Sequence, residues 1–247
     1  TPSPAVPTNS PIPSMAAPAT ATLPAATPTV FEDLFLLSTN VISEESTDPN
    51  YILKVKEPQI EGSQDERAAH FNREVDYQVH ELIDGFKKDL QSLPTPPPGV
   101  EWGRNSLDVD YTITNGDKGL ISALFTVSIY TAGAAHPFPF SMVLTYDLRQ
   151  DRTLALTDLF KPGANYLDVI ARYCNEDLQK QGMLEFPEST TAELNNFKSW
   201  NVQPDGLLIT FDPAQVMPYV AGYQKVLIPF DALKEIILAD GPLAPLL

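Results

Sequence analysis

The chain offers few groups for acid–base, nucleophilic or soft-metal chemistry: three histidines (His70, His80 and His136) and one cysteine (Cys174), set among 32 acidic residues. A nucleophile needs a base beside it, and a zinc site needs three or four closely placed ligands. No G-x-S-x-G elbow, Walker loop, G-x-G-x-x-G, H-E-x-x-H or C-x-x-C occurs. His136 has the setting most suited to a ligand. It lies in Gly133-Ala134-Ala135-His136-Pro137, a bend where a loop side chain can meet a partner. Gly133 tolerates positive φ, and Pro137 and Pro139 hold His136 and Phe138 extended. If the flanking strands pair, Tyr130 and Asp147 fall near the ring. The alternative is a histidine that bonds backbone and fixes the turn. No catalytic residue, metal site or cofactor is expected.

The elements that would position these residues can be read from periodicity. Phe140, Met142, Leu144, Tyr146 and Leu148 alternate with Ser141, Val143, Thr145 and Asp147, which predicts a strand leaving the bend. Residues 105–148 read as a three-stranded meander, with Asn115-Gly116 as the first hairpin signal. Two further strands are expected between Leu34 and Ile60, the second alternating at Tyr51, Leu53 and Val55. Pro58 ends its ladder or marks an edge. Ser63 to Leu93 reads as the one long helix, opened by a Ser63/Glu66 capping box. Its apolar stripe is Ala68, Phe71, Val75, Val79, Leu82, Phe86, Leu90 and Leu93. His70 and His80 lie off this stripe and read as exposed, with no carboxylate or Cys cluster at ligand spacing. Asn165–Gln181 is a second, shorter helix whose apolar face includes Cys174, so that thiol reads as core. A short return strand is expected at Thr153–Leu156 and a capped helical turn after it. Thr190–Phe197 reads as a short helix, and Leu207–Phe211 and Val226–Ile228 as strands. Asp231 is expected to cap a last short helix through Leu238. The fold class is α+β: a mostly antiparallel sheet packed by the long helix and the shorter one.

Composition sets the surroundings. The chain has 247 residues, 43% of them hydrophobic, and a net charge of −16. That balance opposes a nucleic-acid groove and suits solubility, a basic partner or a divalent cation. A single cysteine forms no internal disulfide. No run of 18 apolar residues is present, so no transmembrane segment is expected, and the start has no basic and apolar leader pattern. Residues 1–31 carry no charge and hold eight prolines among Thr, Ser and Ala. Such a segment cannot bury a core and favours extended polyproline II, reaching roughly 90 Å at about 3.1 Å per residue. It reads as a tether to an N-terminal membrane or lipid anchor, which places the protein outside the cell or in the cell envelope. The expected organisation is tether 1–31, a strand-pair-plus-helix subdomain 32–98, and a C-terminal subdomain 99–247, with Pro96-Pro97-Pro98-Gly99 as the stiff connector.

Three stretches also resemble a known family. The G-x-A-H-P bend with the Tyr146-Asp147-Leu148 strand end and Leu156-Thr157-Asp158-Leu159-Phe160 is similar to the C-terminal domain of RsiV-like proteins. So is Leu208–Phe211 followed by Val216-Met217-Pro218-Tyr219-Val220-Ala221-Gly222. Tyr51–Leu90 resembles the domain that precedes it in that family. The likeness covers roughly residues 34–238. It adds Tyr219 to His136, Tyr130, Phe138 and Asp147 as candidate ligand contacts. It implies an extracellular binding or sensing module rather than an enzyme, since related peptidoglycan deacetylases keep catalysis in a separate domain. It also implies lysozyme, a basic protein, or peptidoglycan as partner. A structural subunit of an envelope assembly is the alternative, and a cell-wall hydrolase comes third.

Overall fold

A computed structural model describes residues 35–93 and 103–247. The tether 1–31 and the connector Pro96–Gly99 lie outside the described residues. Two strands, β1 (Leu36–Thr47) and β2 (Asn50–Glu61), form an antiparallel pair. Helix α1 (Glu66–Gln91) follows, and then β3 (Asn105–Asp117), β4 (Leu120–Tyr130), β5 (Phe138–Asp147) and the two-residue β6 (Arg152–Thr153). These strands make one sheet in sequence order, antiparallel throughout except where β2 runs parallel to β3. A parallel neighbour requires a long crossover, and α1 supplies it. The remainder contains α2 (Tyr166–Gln181) and a second antiparallel sheet of β7 (Trp200–Gln203), β8 (Gly206–Phe211) and β9 (Gln224–Pro229), ahead of one short helical turn, α3 (Phe230–Leu233). The fold is α+β, as the periodicity predicts.

The predicted stripe packs α1 on the sheet, with one exchange. Ala68, Phe71, Val75, Val79, Phe86 and Leu90 are buried with Ile83, while Leu82 is half-exposed. They meet Leu53, Val55, Leu107, Val109, Phe125, Val127, Leu144 and Tyr146 from the strands. Phe71 meets Tyr146 edge-on at 5.7 Å, and Tyr51 meets Phe86 at 5.8 Å. The helix starts later than expected because Asp65, not Ser63, is the N-cap: its carboxylate accepts the Arg67 N–H at 2.9 Å. The Arg67 guanidinium bonded to Asp65 pulls that carboxyl down to about 2. Pro58 does mark an edge: β2 pairs with β3 only as far as Val55, and Pro58 faces only Thr39 of β1.

The β3–β4 turn is Lys118–Gly119, where both φ angles are positive, rather than Asn115–Gly116. Asn115 is instead buried just past a bulge, with its amide donating to Leu120 O at 2.6 Å. The return strand at 153–156 shrinks to Arg152–Thr153, followed by a 3-10 turn at Leu156–Leu159. Thr190–Phe197 is not one helix but the end of one 3-10 turn, Pro187–Thr190, and the whole of another, Leu194–Phe197, and the helix expected from Asp231 to Leu238 is only Phe230–Leu233.

A second hydrophobic cluster gathers Ile170, Cys174 and Leu178 of α2 with Phe197, Val202, Ile209, Phe211, Val226 and Ile228. At Gly206 a side chain would press within 2.4 Å of Ile228 O, so only glycine lets β8 and β9 close there. Cys174 lies in this core, where burial pushes its thiol pKa up. This lobe sits on the opposite face of the first sheet from α1. The sheet runs on across the expected 98/99 boundary through the β2–β3 pairing, and Leu120 of β4 joins the lobe's apolar cluster.

Candidate functional site

The lobe covers only part of the outer sheet face. Where it sits, strand positions that alternate outward are buried, and beside Leu120 and Leu124 they include the polar Ser122, Ser141 and Thr145. Ser122 Oγ bonds Thr145 Oγ1 at 2.8 Å and accepts from Asn201 Nδ2 and Val202 N, both at 3.0 Å. Ser141 donates its N–H to Asp212 Oδ1 at 2.8 Å and its hydroxyl to the same carboxylate oxygen, so its Oγ is left to accept from the Ser199 hydroxyl at 2.8 Å. The rest of the face is open.

That open part is laid out by strand register. One row across it is Lys54, Asp108, Ser128 and Pro139; the next is Asp110 and Thr126, with Lys56 alongside, and it ends under the lobe at Ser141. Tyr130 lies on the same face beyond Ser128, opposite Ser106. A cleft of about 400 Å³ occupies this floor, and Tyr223 overhangs it from the lobe. Lys56 pairs with Asp110 at 2.9 Å. That bond, with the Tyr111 N–H and the nearby Lys54 charge, holds the Asp110 carboxyl below its ordinary range. Burial, then the Asp212 and Tyr219 groups, push the Tyr223 phenol up to about 12, so it is a neutral hydroxyl.

The rim of the floor is where two remote segments meet. Gly133 has φ +90, the positive value expected of it, and Ala134 N bonds Thr131 O at 2.9 Å. This bend brings His136 against Tyr219, their rings stacked at 4.2 Å and 29°. Pro137 O accepts from Tyr219 Oη at 2.9 Å and from His136 Nδ1 at 2.8 Å. A carbonyl only accepts, so Nδ1 carries the proton and Nε2 is left for a partner. The Val216–Gly222 segment is itself pinned: Val216 O accepts from Glu185 N at 2.8 Å and Phe186 N at 3.1 Å.

Of the five predicted contacts, His136 and Tyr219 touch, and Tyr130 shares the open face. Phe138 is 67% exposed but turns with Phe140 toward the helix side of the sheet. Asp147 does not belong to this group. It pairs with Leu120 while Phe138 pairs with Ile129, so it sits at the far end of β5. There it is fully buried and bound by Arg149 through two contacts of 3.0 and 2.9 Å, and Arg149 continues to Pro242 O. The β4–β5 pairing that was to bring it near His136 is present; the strand is simply too long.

Lys54, Lys56, Asp108, Asp110 and Tyr223 were not singled out by the sequence, although the alternation of β2 and β3 already put the four charges on one face. His80 is exposed, with Nδ1 2.8 Å from Asp76 O. His70 is half-exposed and engaged, with Nδ1 2.5 Å from Asp151, which also accepts from Tyr146 Oη at 2.8 Å. Among the described residues no three His, Cys, Asp or Glu side chains are grouped to hold a metal.

Comparison with known proteins places this geometry. Residues 157–231 match the model of DUF3298, a family of proteins of unknown function. That stretch runs from the 3-10 turn after β6 through β9 and contains Tyr219 and Tyr223. The chain is 28% identical over 139 residues to the peptidoglycan-N-acetylmuramic acid deacetylase PdaC of Bacillus subtilis, a match spanning 54% of this chain and 30% of that protein. Two crystal structures of DUF3298 proteins share the fold. One, from Bacteroides fragilis, aligns with a TM-score of 0.57 at 15% identity over 83% of this chain and 94% of its own. The other, from Pseudomonas aeruginosa PAO1, gives 0.58 at 14% identity over 83% and 95%.

Proposed function

We propose that the folded part of this chain is a non-catalytic binding module of the cell envelope that holds a cell-wall glycan on the open part of its outer sheet face. One observation carries the reading. A cleft lined by Lys54, Lys56, Asp108, Asp110, Thr126, Ser128 and the ring of Tyr223 lies on a sheet face that also carries Tyr130, and the bend next to Pro139 of its lining holds the stacked His136–Tyr219 pair. Sugars present apolar C–H faces and hydroxyl edges, and such a site offers a surface for each. The similarity to a peptidoglycan deacetylase, and the resemblance to RsiV-like ectodomains, support the location and the ligand class. The test is co-sedimentation with purified peptidoglycan sacculi. The protein is expected to pellet with the sacculi, and Tyr223→Ala and Tyr219→Ala to stay largely in solution. A wild-type chain that does not pellet rejects the reading, and release of acetate or reducing ends from the sacculi would reject its non-catalytic part.

Charge favours a second reading. Acids outnumber bases 32 to 16, and every charge falls after residue 31. Such a surface attracts a basic protein such as lysozyme. Calorimetry against lysozyme should then show binding that weakens as the Debye length shrinks from about 10 Å at 0.1 M salt to about 3 Å at 1 M. The absence of heat at low salt removes this partner.

A further inference from the structure

The floor carries a charge that a neutral glycan has no use for. Lys54 projects from the same face of β2 as Lys56, but the two differ in what they meet. Lys56 is satisfied by Asp110 at 2.9 Å. Lys54 stands beside Asp108 in register, yet among the described residues it enters no ion pair, and Asp108 accepts only from Ser106 Oγ at 3.2 Å. An exposed ammonium left open on the floor of a cleft, in a chain of net charge −16, is a local exception to the surface around it. Among the described residues its three N–H donors meet no hydrogen-bond acceptor, although its charge acts on nearby Asp110, and a ligand carboxylate is a group that supplies one. Asp108, Ser128 and Thr126 lie within the same cleft and complement hydroxyl or amide groups, while Tyr223 offers a ring face.

We infer that the cleft between Lys54 and Tyr223 selects a carboxylate-bearing saccharide over its neutral counterpart. The carboxylate lies on Lys54, the hydroxyl or amide donors on Asp108, and the sugar ring against Tyr223. This inference rests on the glycan reading above and adds the class of sugar. Lys54 is then the specificity-determining residue, and the aromatic rim supplies affinity without discriminating.

The experiment titrates the full chain with two tetrasaccharides of equal length. One is built only of N-acetylglucosamine; in the other, alternate sugars carry a lactyl ether and thus a carboxylate. The carboxylated ligand is expected to bind about tenfold tighter, the contribution of one hydrogen bond to a charged group. Lys54→Met keeps the aliphatic stem and should bring both ligands to the neutral one's affinity, while Lys54→Arg keeps the preference. Tyr223→Ala should weaken both ligands by a similar factor. Because Lys54 is exposed, unchanged melting of the Lys54 variants serves as the control for folding. Equal binding of the two ligands, or a preference that survives Lys54→Met, overturns the inference and leaves the glycan reading standing. Binding of neither ligand overturns both.

Discussion

On one face of the large sheet, Phe71, Val75, Val79 and Phe86 of α1 close over Leu53, Val109, Phe125 and Tyr146. On the other, the β7–β9 lobe meets the same strands through Leu120, which joins its apolar cluster, and through a polar set of Ser122, Thr145, Asn201, Ser141, Ser199 and Asp212. The first contact is non-directional and gains from every apolar area it removes from water. The second adds a directional part: its hydroxyls and amide are buried, and each needs a partner in one geometry. The apolar face therefore supplies stability, and the polar face fixes where the lobe sits. That register matters, because it leaves the strip from Lys54 to Pro139 uncovered and brings Tyr219 and Tyr223 to its border.

The sharpest way to break this comparison is to cut each face once. Phe71 has no solvent exposure and lies in the second turn of α1, against Tyr146. Phe71→Ala is expected to cost about 3–5 kcal/mol, read by urea unfolding. Ser122→Ala removes the acceptor of the Val202 N–H and one of the two acceptors of the Asn201 amide, which keeps Ala123 O, and is expected to cost about 1–3 kcal/mol. If the serine change proves as damaging as the phenylalanine change, the division of labour between the faces is wrong.

The two faces also differ in how visible they are from sequence. The α1 stripe and the inward residues of β2–β5 repeat at helical and strand periods, so their meeting is written in local pattern. The polar face is not. Ser122, Ser141 and Thr145 occupy outward strand positions that look solvent-facing, and only the lobe buries them. Trp200–Gln203 is four residues long and follows a run of turns, too short for periodicity to show a strand. The site divides the same way. His136 was marked by its bend, but its contact with Tyr219 spans 83 residues and rests on lobe placement; the ring bonds Pro137 O as well as bordering the open face. Asp147 looked available because its partner, Arg149, is two residues away in a turn whose geometry the sequence does not specify.

Glu57 tests the helix face from within, since it is a fully buried acid that follows Tyr51, Leu53 and Val55 on the inward side of β2. It has no solvent exposure; Oε1 accepts from Asn40 Nδ2 at 2.8 Å, and Oε2 has no partner. Burial, opposed by the Asn40 bond and reinforced by Asp76, raises its pKa. A raised carboxyl pKa favours the protonated folded form. The stability it contributes is full below the unfolded value of about 4.3 and is lost as pH rises through the folded value. Glu57→Gln should then raise the melting temperature by a few degrees at pH 7 and leave it unchanged below about pH 4. A variant less stable than wild type at pH 7 would mean that Glu57 is held as a charge by neighbours.

The smallest effect is expected where function is placed. His136 is exposed, and Tyr219 is 37% exposed, so their stack closes no core. The shape of the bend is fixed without the imidazole, by Gly133 at φ +90 and by the Ala134 N to Thr131 O bond. His136→Ala should shift unfolding by less than about 0.5 kcal/mol, as surface changes usually do. Tyr219→Phe keeps the stack and loses only the bond to Pro137 O, so it should be smaller still. Both are read from urea midpoints at constant slope. A rim that costs nothing to alter is a rim whose residues are available to a partner, and sacculus binding by His136→Ala should then fall while its midpoint holds. If the same change costs more than about 1 kcal/mol, the ring is a brace between the bend and the Val216–Gly222 segment. The ligand would then have to be sought on the floor between Lys54 and Tyr223 alone.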